Sequence, residues 1–276
     1  MQERQSGVSN DLAVPAFPPA SLEGPTCTMT DMTPIRRILA TSGGFVPTGL
    51  WGVVRPGATM LRALELTGRP RPRVCFVLTA SGDDPSYLSM MYSAMSDVGC
   101  DVDHLALFPQ PNRAPADVLA AADVVWVGGG SVANLLALWR LHGVDEAMHD
   151  AWERGAVLGG VSAGSICWHV GGPTDSFGKD LQLVDNALGF LPYGNGVHYD
   201  SEEQRRPLLQ RLVASGELPT SYATDDRVGL LYEGTDPVEV IGDRDDAGEE
   251  GGPAAYLIEA VGGQAAETRL SIGRLT

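Results

Sequence analysis

Between residues 35 and 162 the chain alternates short apolar runs with stretches of helical periodicity, and this alternation constrains its fold more than any other feature. The strand-like runs are IRRILATS (35–42), VCFVLTA (74–80), HLALF (104–108), VVWVGG (124–129) and AVLGGVS (156–162), with helical stretches near 58–67, 84–97, 115–122 and 131–154. In SVANLLALWRL, Val132, Leu135, Leu136 and Trp139 recur at the i, i+3, i+4, i+7 spacing of one buried helix face. Strands that alternate with helices join through right-handed crossovers into a parallel sheet sandwiched by helices. Such a sheet places its sites beyond the carboxyl ends of its strands. The expectation is an α/β fold of this kind, with a change of character after Gly171.

From there a loop-rich stretch (171–197) leads through VHYD to a predicted helix over 201–216, with Ser201 ahead of Glu203 and Gln204 in a capping arrangement. Beyond it YATDD, RVGLLYEG, PVEVIG, AAYLIEA and TRLSI read as short strands, a β-rich C-terminal part, and DRDDAGEEGGP (243–253) reads as a solvated hairpin loop. Residues 1–34 are rich in Pro, Ser, Gly and acidic side chains and read as a disordered extension. Met29 and Met32 offer alternative starts ahead of a single domain spanning 35–276.

A net charge of −16 argues against nucleic acid or an anionic membrane as partner, since both call for a basic surface. No apolar run approaches the ~18 residues of a membrane-spanning helix. The N-terminal stretch lacks the basic start and apolar core of a secretory signal. Cys27, Cys75, Cys100 and Cys167 show no CxxC spacing, and Cys75 and Cys167 sit in apolar segments, which reads as buried free thiols in a reducing cytoplasm. No clustered histidines accompany the cysteines in a metal-ligand spacing.

The segment GVSAG (160–164) lies where an apolar run passes into a helix-forming one. A G-x-S-x-G pentapeptide in that position is the nucleophile elbow, a turn sharp enough to need glycines and to leave the serine hydroxyl exposed. Ser162 is therefore the candidate nucleophile, set against a merely structural serine in a small-residue turn. A serine hydroxyl needs a base that is itself oriented by a third group. Of five histidines, His104 begins an apolar strand, His142 and His149 lie on a helical surface, and His169 rides the helix leaving the elbow. His198, in GNGVHYDSEE, is the candidate base. Asp175, Asp180, Asp185 and Asp200 are the acids downstream of Ser162. Asp175, in GGPTDSFG, gives the order Ser…Asp…His and is the expected third member. Backbone N–H groups of Ala163 and of the GGGS segment (128–131) are the expected oxyanion donors. Gly130, Ser131 and Arg140 are further candidates for contact with substrate. The glycines fit neither a P-loop nor a dinucleotide fingerprint.

VVWVGGGSVANLLALWR, GGVSAGSICW, GGPTDSFG and GNGVHYDSEEQRRP, with TASGDDPSY and YATDDRVGL, run in the order seen in the dipeptidase E family of serine peptidases, which includes the cyanophycinases, and the chain resembles that family from Ile35 to about Val261. The resemblance implies a class I glutamine-amidotransferase-like fold, a Ser162–His198–Asp175 triad with Gly129 and Ala163 as oxyanion hole, and no cofactor. It implies peptide hydrolysis, Asp-X dipeptides among the substrates, and the expectation is a cytoplasmic serine exopeptidase acting on dipeptides or short peptides as a monomer or homodimer. A pocket for an acidic side chain needs a cation, for which Arg140, Lys179, Arg205 and Arg206 are candidates. An esterase or cyanophycinase-like hydrolase with the same triad, and a non-catalytic anion-binding protein, are the competing readings.

Overall fold

Alternate residues of the central strands feed two separate cores, the mark of a sheet covered on both sides. A computed structural model describes residues 34–243, 249 and 251–275. The extension expected over 1–34 lies outside these residues except for Pro34, as do Cys27 and most of the acidic loop around 244–250.

The main sheet contains β1 (Arg37–Thr41), β4 (Arg73–Val77), β5 (Asp101–Leu105), β6 (Val124–Val127) and β7 (Val157–Val161), all parallel, in the order β1-β7-β6-β4-β5. Beyond β1 it continues antiparallel through β12 (Val228–Glu233), β13 (Asp236–Gly242) and β16 (Gly273–Arg274). Ile38, Val77, Val125, Val127 and Leu158 point into one core with Leu135, Leu136, Trp139 and Met148. Leu39, Phe76, Trp126 and Val157 point into the other with Met60, Met91 and Met95. The first core is closed by α3 (Pro115–Ala120), α4 (Val132–His142), α5 (Val144–Glu153) and α6 (Ala163–Ile166), the second by α1 (Ala58–Leu66) and α2 (Pro85–Met95). Each fully buried aliphatic or aromatic side chain contributes about 1.5–3 kcal/mol, so continuous apolar runs are what a two-sided parallel sheet selects.

The β-rich C-terminal part forms a second sheet, β10 (Gly194–Gly196), β11 (Ser221–Thr224), β14 (Ala255–Val261) and β15 (Gln264–Leu270), with α7 (Arg205–Ala214) packed on it. Two hairpins, β2 (Phe45–Pro47) with β3 (Val54–Pro56) and β8 (Gly172–Thr174) with β9 (Gln182–Val184), complete the strands among the described residues.

Three expectations shift. The stretch 131–154 is two helices rather than one, because Gly143 adopts a left-handed φ of 68° and ends α4. The edge strand β5 stops at Leu105, short of the apolar run HLALF, because the amides of Leu107 and Phe108 donate to the Asp83 carboxylate instead of a neighbouring strand. The helix expected from 201 begins at Arg205. The His198 carbonyl takes the amides of Ser201 and Glu202 in a turn, and Ser201 caps nothing. A start at 201 would put Pro207 in the helix interior, where it lacks an N–H to donate; a start at 205 keeps it in the first turn.

Candidate active site

Ser162 stands at the carboxyl end of β7 with φ 58° and ψ −113°, a conformation that costs a non-glycine residue on the order of 1–3 kcal/mol. The packing around it enforces that turn. A Cβ on Gly160 would lie 2.6 Å from the Val127 carbonyl oxygen, and one on Gly164 would lie 2.3 Å from the same atom. Both glycines of GVSAG are therefore needed for the close approach of β6. The Ser162 amide donates to the Thr41 carbonyl at 3.1 Å, and its own carbonyl accepts from Ser165 and Ile166, the first turn of α6. The serine is partly exposed, above a floor of buried residues from Ala163 to His169.

The loop after β6 lies against it. A Cβ on Gly129 would be 3.4 Å from Ser162 Cβ, so this glycine backbone flanks the serine directly. Gly130, at φ 135°, passes so close to Ala80 that a Cβ would lie 2.2 Å from its carbonyl oxygen, which also accepts the Ser131 amide. Ser131 caps α4 by accepting the Asn134 amide. Tyr87, in the first turn of α2, packs on this loop. Burial pushes its phenol up, opposed by a hydrogen bond with the Gly129 backbone.

His198 has a left-handed φ of 51°, and its Nδ1 meets Asp226 Oδ1 at 2.6 Å. With Nδ1 so engaged, Nε2 is left for a second group, and no described residue bonds it. The imidazole's carboxylate is thus Asp226 and not Asp175, the acid expected from chain order. Asp175 is exposed in the loop of the β8–β9 hairpin. Its neighbours Thr174 and Ser176 bond each other, and the Ser176 hydroxyl accepts the Ala133 amide at the start of α4.

Ser42, buried just past β1, ties the parts together. Its hydroxyl accepts the His198 amide at 2.9 Å and lies 2.7 Å from the Thr224 hydroxyl. Its amide donates to Val228 and its carbonyl accepts from Arg227, so that with Thr224 it clamps both sides of the turn that carries Asp226. Thr41 thus holds the Ser162 backbone while the next residue holds those of His198 and the Asp226 turn. Asp200 bonds the Asp226 amide at 2.7 Å. Chain order gave no reason to look past His198 for the acid. The signal was the Asp225–Asp226 pair closing YATDD at a strand end.

The remaining candidates are occupied elsewhere. His169 is fully buried, with Nδ1 on the Ser165 carbonyl and Nε2 3.5 Å from the Tyr232 hydroxyl, and burial lowers it to about 4, so it is neutral. Arg140 is held by the carbonyls of Asn186 and Ala187. Arg205, itself buried, is held by Glu202 and the Pro173 carbonyl. Arg206 stacks on Tyr199 and Tyr256 and pairs with Glu267. Lys179 is exposed. Cys75, Cys100 and Cys167 are buried free thiols. Among the described residues no helix is long and apolar enough to cross a membrane.

The chain is similar to known proteins in sequence and in fold. The family model described as Peptidase family S51 aligns with residues 59–240. A Bacillus subtilis (strain 168) protein named uncharacterized peptidase YgaJ is 40% identical over 169 residues, 61% of this chain and 73% of that one. Peptidase E of Streptomyces coelicolor is 30% identical over 159 residues, 53% of this chain and 63% of its own. Among solved structures, a putative peptidase E protein from Listeria monocytogenes EGD-e superposes with a TM-score of 0.54 at 17% identity, covering 75% of this chain and 98% of its own. A peptidase from an acI-B1 Actinobacterium gives 0.61 at 13%, covering 87% and 97%. At such identities the two structures speak for the mixed α/β fold with its large central sheet. The family match covers most of the chain and contains Ser162, His198 and Asp226: the chain belongs to peptidase family S51 and is a serine-type peptidase.

Proposed function

We propose that the chain hydrolyses dipeptides or short peptides by acyl transfer through Ser162, with His198 as general base and Asp226 as the group that orients it. The observation that carries this reading is the 2.6 Å bond from His198 Nδ1 to Asp226, anchored through Ser42 one residue from the backbone contact that holds Ser162. A carboxylate on Nδ1 fixes the tautomer whose Nε2 accepts the serine proton and stabilises the imidazolium that follows. Ser162 then attacks the scissile carbonyl, His198 returns the proton to the leaving amine, and water repeats the sequence on the acyl-enzyme. Oxyanion stabilisation falls to the backbone N–H groups of Ala163 and of the Gly129–Gly130 loop, which flank Ser162. The Gly-x-Ser-x-Gly turn between β7 and α6 also supports a class I glutamine-amidotransferase-like reading of the fold.

Side-chain preference follows from the cations. Arg140, Arg205 and Arg206 are each held by other groups. This favours peptides whose scissile residue is uncharged over Asp-X dipeptides, for which the exposed Lys179 is left among the four candidate cations. The buried free thiols support a reducing, cytoplasmic setting.

The test is a dipeptide panel containing Asp-X and neutral members, with p-nitrophenyl esters beside it, assayed on the parent and on Ser162→Ala. Peptide turnover should fall by about 10⁴-fold or more in the variant, and a fluorophosphonate probe should label the parent alone. Peptide hydrolysis that survives Ser162→Ala would end the proposal.

A further inference from the structure

A large cavity lies at the opposite end of the strands from Ser162. It has a volume of about 630 Å³ and is lined by Arg69, Arg71, Arg73 and Arg154, with Asp123 as the sole acidic lining residue. Arg73 opens β4, Asp123 precedes β6 and Ala156 precedes β7, so the cavity opens at the amino ends of the strands whose carboxyl ends carry the elbow. From Ala156 to Ser162 the chain runs along β7, about 20 Å at ~3.3 Å per residue.

The charge is out of keeping with the molecule. Nineteen basic side chains face 35 acidic ones over the chain, yet four of those basic groups converge here against one carboxylate. The segment RPRPR (69–73) supplies three of them, separated by prolines that restrict the backbone. Asp123 answers Arg69 at 2.8 Å and the Arg73 amide at 2.9 Å, and Arg71 turns to Asp101 at 2.7 Å. Arg154 meets only the Leu119 carbonyl, and the Arg73 guanidinium has no hydrogen-bond or ion-pair partner among the described residues. Two guanidiniums thus lack a carboxylate partner at a concave wall. A planar guanidinium binds phosphate or carboxylate oxygens in pairs.

We propose that this cavity is a binding site for a small polyanion carrying two or more phosphate or carboxylate groups. Its volume falls in the range of small-molecule sites and exceeds what one tetrahedral oxyanion fills. With Arg69 and Arg71 paired to Asp123 and Asp101, the two guanidiniums of Arg73 and Arg154 that lack a carboxylate favour a ligand of multiple charge. The competing use of these arginines is to cap the carboxyl ends of α3 and α5, as Arg154 does for Leu119. That use predicts no saturable ligand.

The test is calorimetric titration of the full chain with tripolyphosphate, citrate and inorganic phosphate at low ionic strength. The comparison variants are Arg73→Gln/Arg154→Gln and, remote from the cavity, Arg269→Gln/Arg274→Gln. Saturable binding of tripolyphosphate or citrate, at least about tenfold tighter than phosphate and weakened about tenfold or more by the first pair alone, is the expected result. Which of the two polyanions binds tighter identifies the ligand class. Circular dichroism of each unliganded variant separates lost binding from lost fold, and Arg71→Gln, an exposed position, provides a second variant at the site. Absence of saturable binding at millimolar concentrations would overturn the proposal. So would equal loss in both variant pairs, which would mark general charge screening.

Discussion

The two halves of the candidate active site are built in opposite ways. The nucleophile half is local: β7, the elbow and α6 occupy residues 157–166 without interruption, and its geometry is enforced by the two strands beside β7. The base half is an assembly. His198 is held by Ser42, 156 residues earlier, and meets Asp226, 28 residues later, in a turn clamped by that same serine. A motif whose parts are contiguous carries its constraint in its letters. One whose parts come from three loops exists only once two sheets have docked, and loops are where such residues concentrate.

Six substitutions can break or sharpen that contrast. Asp226→Asn should lower kcat by about 10³–10⁴-fold through loss of the tautomer that Ser162 needs, while Asp175→Asn stays within about twofold of the parent. Steady-state kinetics on one dipeptide checks both, and the reverse pattern would return the orienting role to Asp175.

On the local side, Gly164→Ala should destabilise by about 3 kcal/mol or more, because its Cβ meets a backbone carbonyl that cannot swing aside. Gly143→Ala meets nothing within 4 Å and should cost only the left-handed backbone penalty of about 1–2 kcal/mol. Urea midpoints measure the difference.

His169, beneath the elbow, tests the buried floor through pH. Its folded value of about 4 lies below the ordinary 6.5, so between those values the unfolded chain binds a proton that the folded one refuses. Stability from this group is therefore complete above about pH 6.5 and lost as pH falls toward 4, by up to about 3 kcal/mol. His169→Gln should flatten the fall of Tm between pH 6.5 and 5, a range above most carboxylate titration. An unchanged slope would contradict a neutral buried imidazole.

A smaller loss of turnover than at Asp226 is expected at Ser42→Ala, which removes the acceptor for the His198 amide. Turnover should drop about tenfold with KM little changed, and Ser162 should react more slowly with a fluorophosphonate. A loss confined to Tm would make Ser42 a structural clamp only.

The central strands were legible because their periodicity reports two-sided burial, and the elbow because Gly160, Ser162 and Gly164 bracket one turn. His198 was legible by elimination among five histidines. The start of α7 at 205 was not, since the capping letters at 201 are sound locally and lose to Pro207 and to the His198 turn. The end of β5 was not either, because Asp83 lies 24 residues from the Leu107 amide it captures.

The sequence by itself determined a parallel α/β sheet, a serine at a strained turn and a glycine loop beside it, since each is a short-range pattern fixed by sterics and burial. Only the tertiary structure decided that Asp226 rather than Asp175 meets the imidazole, and that four arginines share one cavity at the far end of the sheet. A carboxylate's letters do not say which cation or ring it will reach. That choice belongs to the docking of β1, β11 and the His198 turn around Ser42, contacts between residues far apart along the chain.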